Sequence, residues 1–234
     1  MGRECRCVEC GYRVKSLFVQ YSPGNIRLMK CERCKEVADE YIECELMIVF
    51  IDLVLHKPKA YRHVLYNVLN KKAVNIQHLL WKAVFANLLI DAYRSLLLRR
   101  NYEKTSLSHS FVSTVVKVMI DILSANIVFI CSFALAAKIM LHLSFDGTRK
   151  REILLGILIS SYFKIFLLAM MVWEFPASVI FIVDIFVLTS NCVALKVMAE
   201  PSTGKCIAVC FIAHLVRLLA LQLRESRSLG HFDL

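Results

Sequence analysis

Turn-forming residues are scarce. The 234 residues include seven glycines and four prolines, about 5% of the chain against roughly 12% in average usage. That scarcity excludes a collagen-like chain and argues against a turn-rich β-sandwich. Acid is also in short supply, with 19 Asp and Glu against 29 Lys and Arg, for a net charge of +10. Charged residues of both signs make up only 21% and hydrophobic residues 58%, above the roughly 45–50% of a typical soluble domain. A disordered chain is excluded by this apolarity, and a single soluble globule is a poor fit. The seven histidines are scattered and form neither HxxxH nor HExxH. GxSxG and P-loop patterns are also missing, so no catalytic or di-iron constellation is expected. There is no tandem repeat and no low-complexity segment.

The apolar excess is instead gathered into blocks. Ile122–Leu141, Ile153–Trp173, Ala177–Met198 and Cys206–Leu223 are each long enough, at about 1.5 Å per residue, to approach or cross a hydrocarbon core of roughly 30 Å. Residues 79–98 form a marginal or amphipathic fifth candidate, interrupted by Lys82, Asp91 and Arg94. Polar connectors separate the blocks, among them Arg99–Lys104, a loop holding Arg149, Lys150 and Arg151, and the turn Glu174-Phe175-Pro176.

The charge divides unevenly. Residues 1–45 carry eight basic and eight acidic residues. Residues 46–75 carry Lys57, Lys59, Arg62, Lys71 and Lys72 against Asp52 alone. A basic stretch at the edge of apolar segments suits anionic lipid headgroups, at about 1 kcal/mol per Lys or Arg near such a surface. A neutral head gives nucleic acid no footprint, and none is expected as a partner. The same Lys and Arg bias favours a cytosolic N-terminal domain.

Six of the ten cysteines lie in residues 1–44, while Cys131, Cys192, Cys206 and Cys210 lie in apolar blocks, where Cys acts as a small hydrophobe. Residues Met1 to Cys7 show neither an apolar signal core nor a myristoylation pattern, so the early cysteines are expected to be reduced and available to metal. Cys7-Val8-Glu9-Cys10 and Cys31-Glu32-Arg33-Cys34 flank two β-rich runs, Leu17–Tyr21 and Ile26–Lys30, with the turn Ser22-Pro23-Gly24-Asn25 between them. Two CxxC pairs around a hairpin describe a zinc ribbon. Cys7, Cys10, Cys31 and Cys34 are the expected ligands of a structural Zn2+, with Cys5 as a stand-in for Cys7. Four thiolates leave no open position for catalysis. Too few further ligands remain for a RING-type double site.

Leu46–Leu55 is apolar apart from Asp52. At ten residues, about 15 Å of helix, it is too short to span. It would lie in the interface, enter and return, or pack within a small domain. Among charges inside the spans, Lys164 lies eleven residues before Phe175 and Asp184 nine after it. Antiparallel helices would bring the two to similar depth, so an intramembrane ion pair between Lys164 and Asp184 is expected.

The head also resembles the start of the Arv family. The resemblance rests on the two CxxC knuckles with their hairpin, on Ala38–Glu43, on Ile51–Lys57, and on Ala60-Tyr61-Arg62-His63-Val64-Leu65-Tyr66-Asn67. It covers about residues 5–67, and the apolar remainder is similar only in offering several spans. Family members often carry Asn near the second knuckle, where this chain has Glu32 and Lys35.

The resemblance implies a multi-pass endoplasmic-reticulum membrane protein, not an enzyme. Such a protein mediates sterol homeostasis, acting in intracellular sterol and lipid trafficking and influencing sphingolipid metabolism. Membrane lipids, sterol and anionic headgroups among them, would be its partners. The alternative is a non-catalytic scaffold subunit docking enzymes of lipid or glycosylphosphatidylinositol-anchor synthesis. Asp52, Tyr61, Arg62, His63 and Asn67 are the family-motif residues expected at lipid headgroups, against the bundle, or in the folding of the head itself.

The expected fold is therefore an α-helical multi-pass membrane protein with a small N-terminal zinc-ribbon (β-hairpin) domain. Its expected divisions are a zinc-ribbon domain with a membrane-facing segment (1–67), an amphipathic helix and connector (68–110), and a transmembrane helical bundle (111–234).

Overall fold

The computed structural model describes residues 5–69, 76–102, 111–141, 147–171, 173, 176, 178–200 and 202–230. They form two compact units, residues 1–76 and 77–234.

The first unit is built on short strands. β1 (Cys5–Arg6) pairs antiparallel with β2 (Arg13–Val14), and β3 (Phe18–Ser22) with β4 (Asn25–Leu28). The β3–β4 turn contains Gly24 at φ +83°, a conformation that glycine adopts without a Cβ clash. Strands this short bury little, and among β3 residues only Phe18 is partly covered. The core of the unit comes from elsewhere. Val8, Tyr41, Val49 and Ala60 pack together, with Cys44, Leu53 and Val64 against them.

Two helices supply half of that core. α1 (Leu46–Val54) ends at His56, which takes φ +56°. The His56 amide donates to the Leu53 carbonyl and the Lys57 amide to that of Asp52, the double closure that stops a helix sharply. Pro58 then opens α2 (Pro58–Arg62) at a position where its missing N–H costs nothing. α2 runs on into a π-helical turn, His63–Val68.

The second unit is helical: α3 (Ile76–Tyr102), α4 (Phe111–Leu141), α5 (Gly147–Ser160), a 3-10 helix (Ser161–Met171) that continues α5, α6 (Ser178–Ala199) and α7 (Thr203–Gly230). Among the described residues four helical stretches are long and apolar enough to cross a membrane: Val116–Leu141, Arg151–Ala169, Ser178–Ala199 and Thr203–Leu223. These are the four spans expected from the sequence, and the chain is a multi-pass helical membrane protein. α3, the marginal candidate, does not reach the same apolarity.

α4 buries one stripe, Val118, Ile122, Ala125, Phe129, Phe133 and Ala136, at steps of three and four. Its main partner α7 buries Cys206, Val209, Cys210 and Ala213. Small residues let two helices approach closely in lipid, where no hydrophobic effect drives them together. Outward positions such as Ile127, Leu135, Phe181 and Ile185 remain more than half exposed, as lipid-facing side chains should.

The second span, Arg151–Ala169, is unusual. Eleven residues of 3-10 helix exceed the common three or four. With the longer rise of that helix, residues 151–169 cover about 33 Å instead of about 28 Å. A period of three also puts Ser161, Lys164 and Leu167 on one face, and all three are buried.

Candidate functional site

The two CxxC pairs fold as near copies. In the first knuckle the Cys7 amide donates to the Tyr12 carbonyl and the Gly11 amide to the Cys7 carbonyl. In the second, the Cys31 amide donates to Glu36 and the Lys35 amide to Cys31. Each knuckle sits at the mouth of a tiny antiparallel pairing, β1 with β2 in one case and the Lys30–Val37 bridge in the other. Each also needs a left-handed residue after its second cysteine. Gly11 takes φ +74° at no cost, while Lys35 takes φ +65° against a penalty of about 1–2 kcal/mol for an L-residue.

The folding brings four sulfurs together. Cys7 Sγ lies 3.7 Å from Cys34 Sγ, and Cys10 Sγ 3.6 Å from Cys31 Sγ. All four lie within 4.8 Å of one another, a cluster that could hold a metal ion. Cys5 stays outside it, in β1. Burial pushes the Cys7 thiol up to about 12, against the pull of the Cys10 and Glu9 amides. Burial also raises Cys31, but there the amides of Cys34 and Arg33 outweigh it and bring the thiol down to about 7. Amides aimed at sulfur favour the thiolate, which is the form a metal binds.

A buried carboxylate ties the helical segment to this ribbon. Asp39 is fully buried. Its Oδ1 accepts from the Tyr41 amide at 3.1 Å, and its Oδ2 lies 2.8 Å from His63 Nδ1 and accepts from Asn67 Nδ2 at 2.7 Å. His63 and Asn67 are four apart, so the helical turn delivers both to one face. Asn67 also brackets β1: its Oδ1 accepts from the Arg6 amide and its Nδ2 donates to the Arg6 carbonyl, both at 2.9 Å. An Asp there could accept but not donate. Arg62 donates to the Val8 and Glu9 carbonyls at 2.7 and 2.8 Å, within the first knuckle itself.

Tyr61 is buried and stacks with His56. Asp52 accepts from Tyr41 Oη at 2.7 Å and pairs with Lys57 at 2.7 Å. The Lys57 ammonium, and then the Tyr41 hydroxyl, hold the Asp52 carboxyl below its ordinary value.

Asp52, Tyr61, Arg62, His63 and Asn67 thus make the contacts of the third expected role, folding of the head. They build the head's own interior, because the small ribbon has carbonyls and a carboxylate to satisfy and little apolar core to do it with. Part of the basic stretch is also engaged within the head. Lys57 is engaged by Asp52, and Lys59 by Glu9 and Glu40. Lys71 and Lys72 lie outside the described residues.

The second unit corrects a further pairing. Lys164 and Asp184 do not pair with each other. Lys164 Nζ lies 3.0 Å from Asp91 Oδ1, and Asp184 is engaged by Arg94. Matching depth did not settle azimuth: the three-residue period of the 3-10 helix turns Lys164 toward α3. Asp91 also receives Arg217 at 2.9 Å and Asn126 at 3.1 Å. A layer of hydrogen bonds accompanies these ions. Ser160 Oγ donates to Asn191 Oδ1 at 2.6 Å, and Asn191 Nδ2 lies 3.2 Å from His214 Nε2.

Sequence reasoning missed Asp39 as the hub, although it stands in the quoted Ala38–Glu43 segment. It treated Asp91 and Arg94 only as interruptions and passed over Arg217. A charge inside an apolar block was the available signal.

A four-cysteine head and four membrane-crossing helices define a class: multi-pass helical membrane proteins with a candidate metal-binding N-terminal domain. Within that class the chain belongs to the Arv1-like family, whose sequence pattern matches residues 6–195. It is 68% identical over 222 residues to Protein ARV 1 of Arabidopsis thaliana, covering 95% of this chain and 89% of that one. It is 64% identical over 224 residues to Protein ARV 2 of the same plant, covering 95% and 96%. Protein ARV1 of Homo sapiens is 28% identical over 205 residues, covering 82% of this chain and 71% of the human one. No solved structure matches the chain.

Proposed function

We propose that the head holds one structural Zn2+ through Cys7, Cys10, Cys31 and Cys34, and that the protein mediates sterol homeostasis by lipid trafficking from the endoplasmic-reticulum membrane. A regular tetrahedron with Zn–S bonds of about 2.3 Å has S···S edges of about 3.8 Å, and the two short sulfur separations of 3.6 and 3.7 Å fit such edges. Zinc would supply a cross-link between the two knuckles, worth on the order of 10–16 kcal/mol in small zinc peptides. The thiols and their amides hold the ion; Asp39, Arg62 and Asn67 keep the knuckles in register.

One observation carries the lipid reading: in a member of this family, α1 leaves its apolar face bare. Leu46 is 85% exposed, Met47 63% and Ile51 51%. A nine-residue helix reaches about 13 Å, which suits lying in a headgroup interface rather than crossing a bilayer. The head is cytosolic in this reading, and α1 engages the leaflet from which sterol is collected. Family membership supports the sterol and sphingolipid setting, and the protein acts on lipid distribution without catalysing a reaction.

The test is sterol transfer between donor and acceptor vesicles by the full-length, zinc-loaded protein. Transfer should fall several-fold in a Met47→Ser, Ile51→Ser variant that keeps its zinc, and in a Cys31→Ser, Cys34→Ser variant that loses it. No transfer by folded, zinc-loaded protein would overturn direct lipid handling and move the head's role to docking a biosynthetic enzyme.

A further inference from the structure

The second unit contains an unbalanced set of buried charges. Asp91 and Asp184 carry two negative charges, while Arg94, Lys164 and Arg217 carry three positive. The side chains of Asp91, Lys164, Arg94 and Arg217 are no more than 10% exposed, and that of Asp184 is 26% exposed. Among the described residues, one cation is therefore left without a counter-charge at a depth where ions are costly.

The donors are unbalanced as well. Arg94 Nη2 is committed to Asp184 and Arg217 Nη2 to Asp91, but among the described residues the buried Nε of each guanidinium has no hydrogen-bond partner, and neither has Asp91 Oδ1, which meets Lys164 only as an ion pair. Buried polar groups are normally satisfied. Two guanidinium groups with incompletely satisfied donors beside one surplus charge favour an anionic oxygen ligand.

A cavity adjoins these groups. It has a volume of about 220 Å³ and is bordered by α3, α6 and α7. Arg94, Asp184 and Arg217 line it together with Phe181, Phe211 and Leu215. Such a volume would hold roughly seven waters, room for a headgroup and not for its tail. Phe181 is 62% exposed, Phe211 52% and Leu215 43%, so the apolar wall continues onto the outer face of two membrane-crossing helices. A small hydrated ion gains nothing from that wall, whereas an amphiphile gains along its whole length.

We infer that this cavity binds a membrane lipid whose headgroup carries one negative charge. Its phosphodiester or carboxylate oxygens accept from Arg94 and Arg217, and its tail lies along Phe181, Phe211 and Leu215. The surplus cation sets the charge, the two guanidinium groups lining the cavity set the oxygen chemistry, and the apolar rim sets the amphiphile. The inference does not depend on sterol transfer by the head.

The test is native mass spectrometry of the full-length protein in detergent, titrated with defined lipids. Phosphatidylglycerol should be retained at one per chain, at least ten-fold better than phosphatidylcholine. Leu215→Trp fills the cavity and leaves every charge in place; Arg217→Gln removes the surplus cation. Both should bring phosphatidylglycerol down to the phosphatidylcholine level, and millimolar inorganic phosphate should not displace it. Equal retention of the two lipids, or undiminished retention in Leu215→Trp, would overturn the site. Displacement by inorganic phosphate would overturn the lipid assignment in favour of a free anion.

Discussion

Asp39 in the head and Asp91 in the bundle are both buried carboxylates with three partners, but the partners differ in kind. Asp39 is met by a histidine ring, a side-chain amide and a backbone amide. Asp91 is met by a lysine, an arginine and an asparagine. In the head the partners come from two places: His63 and Asn67 from one helical turn, and the Tyr41 amide from two residues away. In the bundle the partners come from three different helices. A unit that exposes its surface to water can hold a carboxylate with dipoles. A unit inside hydrocarbon has brought full counter-charges to it, since an unpaired ion there is among the costliest features a helix can carry. The comparison teaches where each unit's weakness lies: the head would depend on the proposed zinc cross-link, the bundle on its charge pairing.

The largest expected effect tests the head's dependence. Cys7→Ser with Cys31→Ser should abolish binding of one zinc per chain and unfold the head, removing on the order of 10 kcal/mol of metal-coupled folding energy. Metal analysis and protease cleavage within residues 5–69 would report the loss. The bundle should be untouched, and tryptophan emission reports it alone, because Trp81 and Trp173 both lie in the second unit. Altered tryptophan emission would break the division into independent units.

The next effect sets the two carboxylates against each other. Asp91→Asn leaves Lys164 and Arg217 without their shared anion and should cost about 3–5 kcal/mol. Asp39→Asn leaves mainly a hydrogen-bond mismatch and should cost about 1–3 kcal/mol. Thermal midpoints, read by tryptophan emission for the first and zinc release for the second, check the order. Equal costs would show that the head's hub is ionic too.

The smallest effect is a gain. Lys35→Gly removes the left-handed penalty at the second knuckle and should stabilise the zinc-bound head by about 0.5–1 kcal/mol. A chelator competition would show tighter zinc retention. Weaker retention would mean that the Lys35 side chain makes a contribution larger than its backbone strain.

Much of this was legible beforehand. The four ligand cysteines stand out because a metal knuckle is a local, fixed spacing, and the spans stand out because apolarity over about 20 residues is a one-dimensional property. The β1–β2 pairing was not legible, since two-residue strands show no alternation. Nor was the inward role of Arg62 and Asn67: an exposed basic residue and a buried one look alike in sequence, and only the carbonyls of Val8, Glu9 and Arg6 separate them. The Lys164–Asp184 pairing failed because depth along a helix can be counted from a turn but rotation cannot, least of all through eleven residues of 3-10 helix.

By itself the sequence determined the membrane class, the four spans and the pairing of the two CxxC knuckles, since each follows from local spacing or summed hydropathy. Only the tertiary structure decided which charge meets which, that one buried cation among the described residues is left over, and that the family-motif residues bond within the head. Those outcomes depend on helix rotation and on contacts 60 or more residues apart, such as Asn67 with Arg6, Lys164 with Asp91 and Arg94 with Asp184, and no local pattern encodes them.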